Sequence, residues 1–305
     1  MRLLVTGRHG FVGSALARLI ASDPRLAGVT LCDVPETLDL TDPAATDALL
    51  AGVIPDGVMH LAAQSFVPES FRDPAGTFRV NLIGTLHLLQ GLQRAGFSGK
   101  FVFVSTGDVY GNVPDSALPI AEAWPAAPRN PYAVSKLAAE LLCQQWVATE
   151  GMAIVIARPF NHIGAGQSTR FVVSDFARQV VEIRRGRREP IVNVGDIDVT
   201  RDFTDVGDIL RGYLALLEAG APGERYNLCS GREVSIRAIL DRLAALAGVN
   251  VTAHQDAARV RRAEQRRVVG DPERMRRVTG WTAMTPLDAS LTALLDYWER
   301  ELTDG

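Results

Sequence analysis

Lysine is almost missing from this chain: of its 32 basic side chains only Lys100 and Lys136 are lysines, and arginine supplies the rest. Cysteine is scarce as well. Cys32, Cys143 and Cys229 are far apart and form no Cys-x-x-Cys, which argues against a disulfide framework or a thiolate metal centre and fits a reduced, cytoplasmic compartment. No apolar run reaches the length of a bilayer span, so no membrane anchoring is expected. With an apolar strand beginning directly after Met1-Arg2, no cleavable leader is expected. Excess charge of one sign is also lacking. A formal net charge of -3 argues against a general nucleic-acid binder, although arginines gather between 184 and 188 and between 259 and 277.

What the chain does have is 305 residues with 47% hydrophobic content, enough for one large or two closely joined domains. Short runs that are apolar throughout (3–6, 29–32, 58–61, 101–104, 154–157) alternate with helical patterns (14–21, 42–50, 73–95 and the stretch after Asn130). Strands of that kind separated by helices predict an α/β fold, a doubly wound parallel sheet covered on both faces. After Pro159 the alternation fails, and a smaller, mostly helical lobe is expected, with helices near 171–185, 234–247 and 286–300 and a strand over 192–194. The helix 205–218 and strand 226–228 return to the sheet. The expected division is 1–160 with 205–230 for the first domain and 161–204 with 231–305 for the second.

Thr6-Gly7-Arg8-His9-Gly10-Phe11-Val12-Gly13 follows the first strand and opens a helix, the context a dinucleotide-binding loop requires. Its glycines let the backbone approach a pyrophosphate, whose charge the helix N-terminus attracts. Gly7, Gly10, Phe11, Val12 and Gly13 are therefore candidate cofactor contacts. Asp33 ends the second strand about 20 residues on, where a carboxylate accepts from an adenosine ribose and repels a 2′-phosphate, which favours NAD. Arg8 points the other way, because a guanidinium pairs with a 2′-phosphate. The choice between NAD and NADP stays open. Asp39-Leu40, taken to follow a short strand, either meets the adenine edge or is an ordinary turn.

Tyr132 and Lys136 stand four residues apart on a helix that Asn130 caps and Pro131 begins, so they share a face. An ammonium one turn from a phenol favours the phenolate and makes the tyrosine a usable proton-transfer group. The plain alternative is a surface pair, but a sequence that writes arginine almost everywhere kept a lysine here. His60 reads as a hydrogen-bonded core histidine.

Taken together, Gly7-x-x-Gly10-x-x-Gly13, His60-Leu61-Ala62-Ala63, Asn81-x-x-Gly84-Thr85, Ser105-Thr106-Gly107-Asp108-Val109-Tyr110-Gly111 and Tyr132-x-x-x-Lys136 resemble the extended short-chain dehydrogenase/reductases that act on nucleotide sugars. The likeness covers essentially the whole chain. It implies a Rossmann-type domain, an NAD or NADP cofactor, and a catalytic triad of Thr106, Tyr132 and Lys136, with Lys136 also holding the nicotinamide ribose. It further implies that Leu61, Ala62 and Ala63 line the cofactor, that Asn81 lies behind the site, and that two copies associate as a homodimer. The stretches 158–168, 171–176 and 201–206 look like the branch that acts on GDP-linked 4-keto-6-deoxy sugars. By that resemblance Asn161 and Arg201 contact diphosphate or sugar, and Arg261 and Glu264 bind diphosphate and ribose, although Arg262 stands where the family usually has proline. Asp175 either accepts from guanine or is an exposed helical carboxylate. Dehydratases of the family carry an acid and a glutamate directly after the catalytic threonine. Here those positions are Gly107 and Asp108, the first without a side chain and the second one methylene short, which makes a reductase the stronger expectation than a dehydratase. A 4-epimerase or a non-catalytic NAD(P)-binding protein are the remaining alternatives.

Overall fold

Strands that are hydrophobic on both faces are stable only inside a layered structure, and a computed structural model places them there. It describes residues 1–256 and 265–303. The first part of the chain forms β1 (Arg2–Thr6), α1 (Phe11–Ser22), β2 (Thr30–Leu31), α2 (Pro43–Leu50), β3 (Gly57–His60), α3 (Val67–Arg72), α4 (Pro74–Phe78), α5 (Gly84–Arg94), β4 (Lys100–Val104), α6 (Pro131–Glu150) and β5 (Ala153–Pro159). Then come β6 (Asn161–Ile163), α7 (Val172–Arg184), β7 (Ile191–Val194), β8 (Thr200–Asp205), α8 (Val206–Ala219) and β9 (Arg225–Leu228). The last are β10 (Glu233–Ser235), α9 (Ile236–Ala247), β11 (Thr252–Gln255), α10 (Glu273–Thr279) and α11 (Leu287–Glu301).

One sheet runs β2-β1-β3-β4-β5-β9, and every neighbouring pair in it is parallel. From β1 the chain first steps outward to β2 and then crosses back to β3. This reversal opens a crevice beyond the C-terminal ends of β1 and β3, the place where such sheets bind ligands. Leu16, Ile209, Tyr213 and Leu216 of α1 and α8 cover one face together with the sheet residues Leu3, Val5 and Met59. Leu88, Leu92, Ala139 and Cys143 of α5 and α6 cover the other, against Val58, Phe101 and Ile154.

A separate cluster joins α7, α9 and α11 through Phe176, Val180, Ile239, Leu243, Leu291 and Leu294. Two small sheets, β10-β8-β6 and β11-β7, complete this lobe. The strand expected over 192–194 is present as β7, whereas β6, β10 and β11, of three and four residues, are too short to show a period-two pattern. The expected helix over 234–247 begins later for the same reason: Glu233–Ser235 pairs with β8, and Ser235 caps α9 by accepting from the Ala238 N–H at 3.0 Å. Met275 of α10 and Trp281 pack into the first cluster, although their segment was expected with the second lobe.

The long helix expected over 73–95 is interrupted. Asp73 caps α4, and the turn Arg79–Ile83 widens into a π-helical segment before α5. Such bulges occur often at functional sites. Asp39 and Leu40 follow an irregular loop after Cys32 rather than a strand. Among the described residues no helix is long and apolar enough to cross a membrane, and no three His, Cys, Asp or Glu side chains could hold a metal ion together.

Candidate active site

The crevice is built first by backbone. Gly7 turns the chain at φ +72°, and a Cβ placed on it would stand 2.8 Å from the Ala62 nitrogen. A Cβ on Gly13 would meet the Arg8 carbonyl oxygen at 2.4 Å. Only hydrogen fits at either position, so the loop lies close against Leu61 and Ala62 and folds tightly on itself, and the N-terminus of α1 is left open toward the cleft. Gly10 closes the turn with its N–H on the Gly7 carbonyl at 3.1 Å. This cradle fits the pyrophosphate of a dinucleotide. Phe11 and Val12 form the first turn of α1, and Phe11 stacks in parallel on His162 of β6 at 6.1 Å, tying the loop to the second lobe.

At the adenosine end a cavity of about 210 Å³ is lined by Gly7, Arg8, Gly10, Val34, Leu38, Leu40 and Ala62 among others. Leu40 contributes an apolar wall. The Asp39 carboxylate accepts from the Thr41 N–H at 2.8 Å, and that bond holds its pKa below the usual range. This is the geometry of the turn alternative. Asp33 stands exposed beside Arg8, with Nη1 to Oδ1 at 3.6 Å.

The reacting end is assembled from β4 and α6. Thr106 caps the 3₁₀ turn Gly107–Tyr110 by accepting from the Asp108 N–H at 3.2 Å and is only 8% exposed. Asn130 caps α6 through the Ala133 N–H at 2.7 Å, with Pro131 in the first turn, which sets Tyr132 at the mouth of the cleft. Burial raises the Tyr132 phenol above its ordinary value, and the Asp108 carboxylate adds to this, while a hydrogen bond with Thr106 opposes both. The sequence reading expected Lys136 to make this phenol acidic. The lysine is turned elsewhere: its Nζ donates to the Val104 carbonyl at 2.8 Å and sits 5.1 Å from the centre of the Phe103 ring. Tyr132 is therefore held protonated. Lys136 is 2% exposed, and burial pulls its pKa down to about 8 against the opposing pull of Cys143 and Glu140.

Asn81, on the π-helical turn, accepts from the Gln64 N–H at 2.8 Å and donates to the Gln64 carbonyl at 3.0 Å and to Ser135 Oγ at 2.9 Å. It thereby ties the loop after β3 to α6. His60 is a core histidine as expected, bridging Thr6 Oγ1 at 2.6 Å and Thr85 Oγ1 at 2.9 Å. Burial, helped by the charge of Lys136, pushes its pKa down to about 3, so it stays neutral.

Sequence reasoning did not find the pair beneath the site. Arg158 of β5 meets Glu140 of α6 twice, at 2.9 and 2.5 Å, and Ser105 Oγ donates to the same carboxylate at 2.5 Å. Both charges are buried. The signal available was a glutamate four residues after Lys136 on an otherwise apolar face, but its partner lies 18 positions away on another element.

Of the expected sugar-nucleotide contacts, Asn161 is exposed at the start of β6, opposite Phe203 of β8, so it and Arg201 belong to neighbouring strands of one small sheet. Arg201 Nη1 donates to the Thr200 carbonyl at 2.7 Å. Asp175 accepts from Gln179 Nε2 at 2.9 Å, one turn further along α7. Gly107 lies under Phe160, whose ring carbons would be 3.3 Å from an added Cβ, and Asp108 is exposed. Arg261 and Glu264 lie outside the described residues.

The sequence profile of the GDP-mannose 4,6 dehydratase family matches residues 35–293. Over 304 residues the chain is 50% identical to a GDP-6-deoxy-D-mannose reductase of Pseudomonas aeruginosa, with 99% of each covered. The solved structure of RMD from Pseudomonas aeruginosa complexed with NADPH superimposes at a TM-score of 0.93 and 49% identity, covering 98% of this chain and 99% of that one. A UDP-glucose 4-epimerase of Thermus thermophilus, complexed with NAD, gives a TM-score of 0.84 at 28% identity, with 98% and 99% covered.

Proposed function

The chain belongs to the GDP-mannose 4,6 dehydratase family of extended short-chain dehydrogenase/reductases, and we propose that within it the protein is an NAD(P)H-dependent reductase. It reduces the C4 ketone of GDP-4-dehydro-6-deoxy-D-mannose to give GDP-D-rhamnose. One observation carries this reading over the family's dehydration chemistry: the protonated Tyr132 and Thr106 stand beside Gly107 and an exposed Asp108, so the site has a proton donor for an alkoxide and lacks the long acid–base pair that expelling water requires.

The glycine loop and Leu61 to Ala63 hold the dinucleotide, Leu40 walls its adenosine, and Lys136 reaches the nicotinamide ribose. When bound, the reduced nicotinamide supplies the hydride. Thr106 donates to the ketone oxygen and orients it. Tyr132, kept neutral by burial and by Asp108, gives its proton to that oxygen as negative charge gathers there. Lys136, its pKa brought down to about 8 by burial, is a cation near neutrality whose ammonium is engaged by the Val104 carbonyl rather than by the phenol. Asn81 positions the loop and the helix relative to each other without touching the reacting atoms. Asn161, Asp175, Arg201, Arg261 and Glu264 bind the GDP-sugar, and the arginine forks suit its diphosphate.

We place the enzyme in the cytoplasm as a homodimer joined through α5 and α6, where Val134 and Leu141 of α6 and Ile83 of the π-helical turn before α5 are exposed. The test mixes purified protein with GDP-4-dehydro-6-deoxy-D-mannose and each reduced cofactor, follows the loss of nicotinamide absorbance and identifies the sugar. Stoichiometric cofactor oxidation with GDP-D-rhamnose as product is expected. Turnover confined to a uridine- or thymidine-linked ketosugar would remove the guanine assignment, and a C4-epimeric product would remove the stereochemical one.

A further inference from the structure

The strap from Arg266 to Asp271 is bonded to both lobes. On the side of the second lobe it runs along β8, where the Thr200 N–H donates to the Arg266 carbonyl at 2.8 Å and the Val268 N–H to the Thr200 carbonyl at 3.2 Å. On the side of the sheet domain it meets Ile120, whose N–H donates to the Val269 carbonyl at 2.8 Å and whose carbonyl accepts from the Asp271 N–H at 2.9 Å. Gly270 lies between those two bonds, and a Cβ on it would stand 2.7 Å from Cys229 Sγ and from ring carbons of Phe160. The same ring would be 3.3 Å from a Cβ on Gly107, the residue after Thr106. One aromatic ring thus fills the space between the strap and the Thr106 turn. Asp202, fully buried on β8, ties the strap down. Its Oδ1 accepts from the Ser230 N–H at 2.8 Å and from Ser230 Oγ at 2.6 Å, and its Oδ2 from the Gly231 N–H at 3.0 Å and the Gly270 N–H at 3.3 Å. A carboxylate so deep is stable only while its oxygens stay bonded, so β8, the Ser230-Gly231 turn and the strap keep one arrangement.

We infer that Asp202 is a positioning residue which, through Gly270 and the Phe160 ring, fixes the spacing between the lobe that grips the GDP moiety and the turn that carries Thr106. This rests on the reductase reading above. Asn161 directly follows Phe160 and Arg201 directly precedes Asp202, so both diphosphate contacts of that reading are carried by neighbours of this stack. A sugar held by its nucleotide in one lobe meets Thr106 and Tyr132 of the other only when the spacing between them is right. A displacement of about 1 Å is enough to cost about 100-fold in rate. Asp202 acts through the strap and the ring, and the two halves of the ligand set can each bind without it.

Steady-state turnover of GDP-4-dehydro-6-deoxy-D-mannose, with separate calorimetric titrations of GDP and NADPH into the intact protein, tests this. Asp202→Asn turns an acceptor into a donor facing N–H groups. Gly270→Ala pushes on Phe160 and Cys229 and leaves the carboxylate alone. Each should lower kcat by about 10- to 100-fold while the dissociation constants of GDP and NADPH move by less than about 3-fold. Ser230→Ala keeps the three backbone bonds to Asp202 and should stay within about 3-fold of the parent in all three measurements. Should Asp202→Asn fail to fold, Gly270→Ala decides the matter. An undiminished kcat in Gly270→Ala, or GDP and NADPH weakened in step with kcat as in a general loosening of the fold, overturns the inference alone. A parent protein that binds NADPH but neither binds GDP nor turns over the ketosugar overturns the reductase reading and the inference with it.

Discussion

At the scale of single residues, the site works by setting protonation states through burial. Tyr132 is kept as a neutral phenol by desolvation and by Asp108, the state a reductase needs in its proton donor. Replacing it with Phe removes the proton and leaves the ring, so kcat should drop by about 10²- to 10⁴-fold while the dinucleotide dissociation constant stays put. Stopped-flow turnover paired with nucleotide-fluorescence titration checks both halves. Lys136 is the opposite case, a cation whose pKa burial lowers to about 8. Its charged form opposes folding at neutral pH, an opposition that fades as pH rises from about 8 toward the unfolded value near 10.5. On the proposed role of Lys136 at the nicotinamide ribose, the ammonium contributes only below that titration. NADH affinity should therefore weaken as pH climbs through about 8, and Lys136→Met should bind weakly with no such dependence. The pair stood out in the sequence because the chain is so poor in lysine. The direction of the tyrosine shift was not, since it depends on Asp108 and on Lys136 Nζ being engaged by the Val104 carbonyl.

At the scale of elements, α6 carries the proposed catalytic pair Tyr132 and Lys136 and, one turn further on, its anchor. Glu140, one turn beyond Lys136, is held by Arg158 and Ser105, so α6 is locked to β5 and to the residue preceding Thr106. Removing one member of such a buried pair strands the other charge. Arg158→Met should cost about 3–5 kcal/mol of stability by urea unfolding, whereas Glu140→Leu combined with Arg158→Met should recover most of it. Helix starts were readable where a cap signal exists, as at Asn130-Pro131 and Asp73-Pro74. The π-helical turn at Asn81 was not. No local residue writes it, and it is held by tertiary bonds from Asn81 to Gln64 and Ser135.

For the whole molecule, the doubly wound sheet was legible because its strands are apolar on both faces, and the ligand crevice followed from the glycine loop after β1. In the second lobe the strand over 192–194 was legible, whereas β6, β10 and β11 were hidden by their shortness. The pattern also left apolar side chains outside. Leu141 is 60% exposed, Val134 is 39% exposed on the same stripe of α6, and Ile83 is 38% exposed on the neighbouring helical segment. Residues seven apart on a helix share a face, so α6 turns Tyr132 and Lys136 toward the cleft and an apolar ridge toward water. A second copy applied to that ridge would bury it and stiffen the helix that places the proton donor. The protein should sediment at twice the 33.0 kDa chain mass. Leu141→Asp sets a carboxylate at the centre of the ridge and should yield monomers with kcat reduced more than NADPH affinity, because the glycine loop lies on α1, away from this face. A wild-type protein that sediments as a monomer at micromolar concentration would rule out the dimer, and with it the claim that association tunes the catalytic helix.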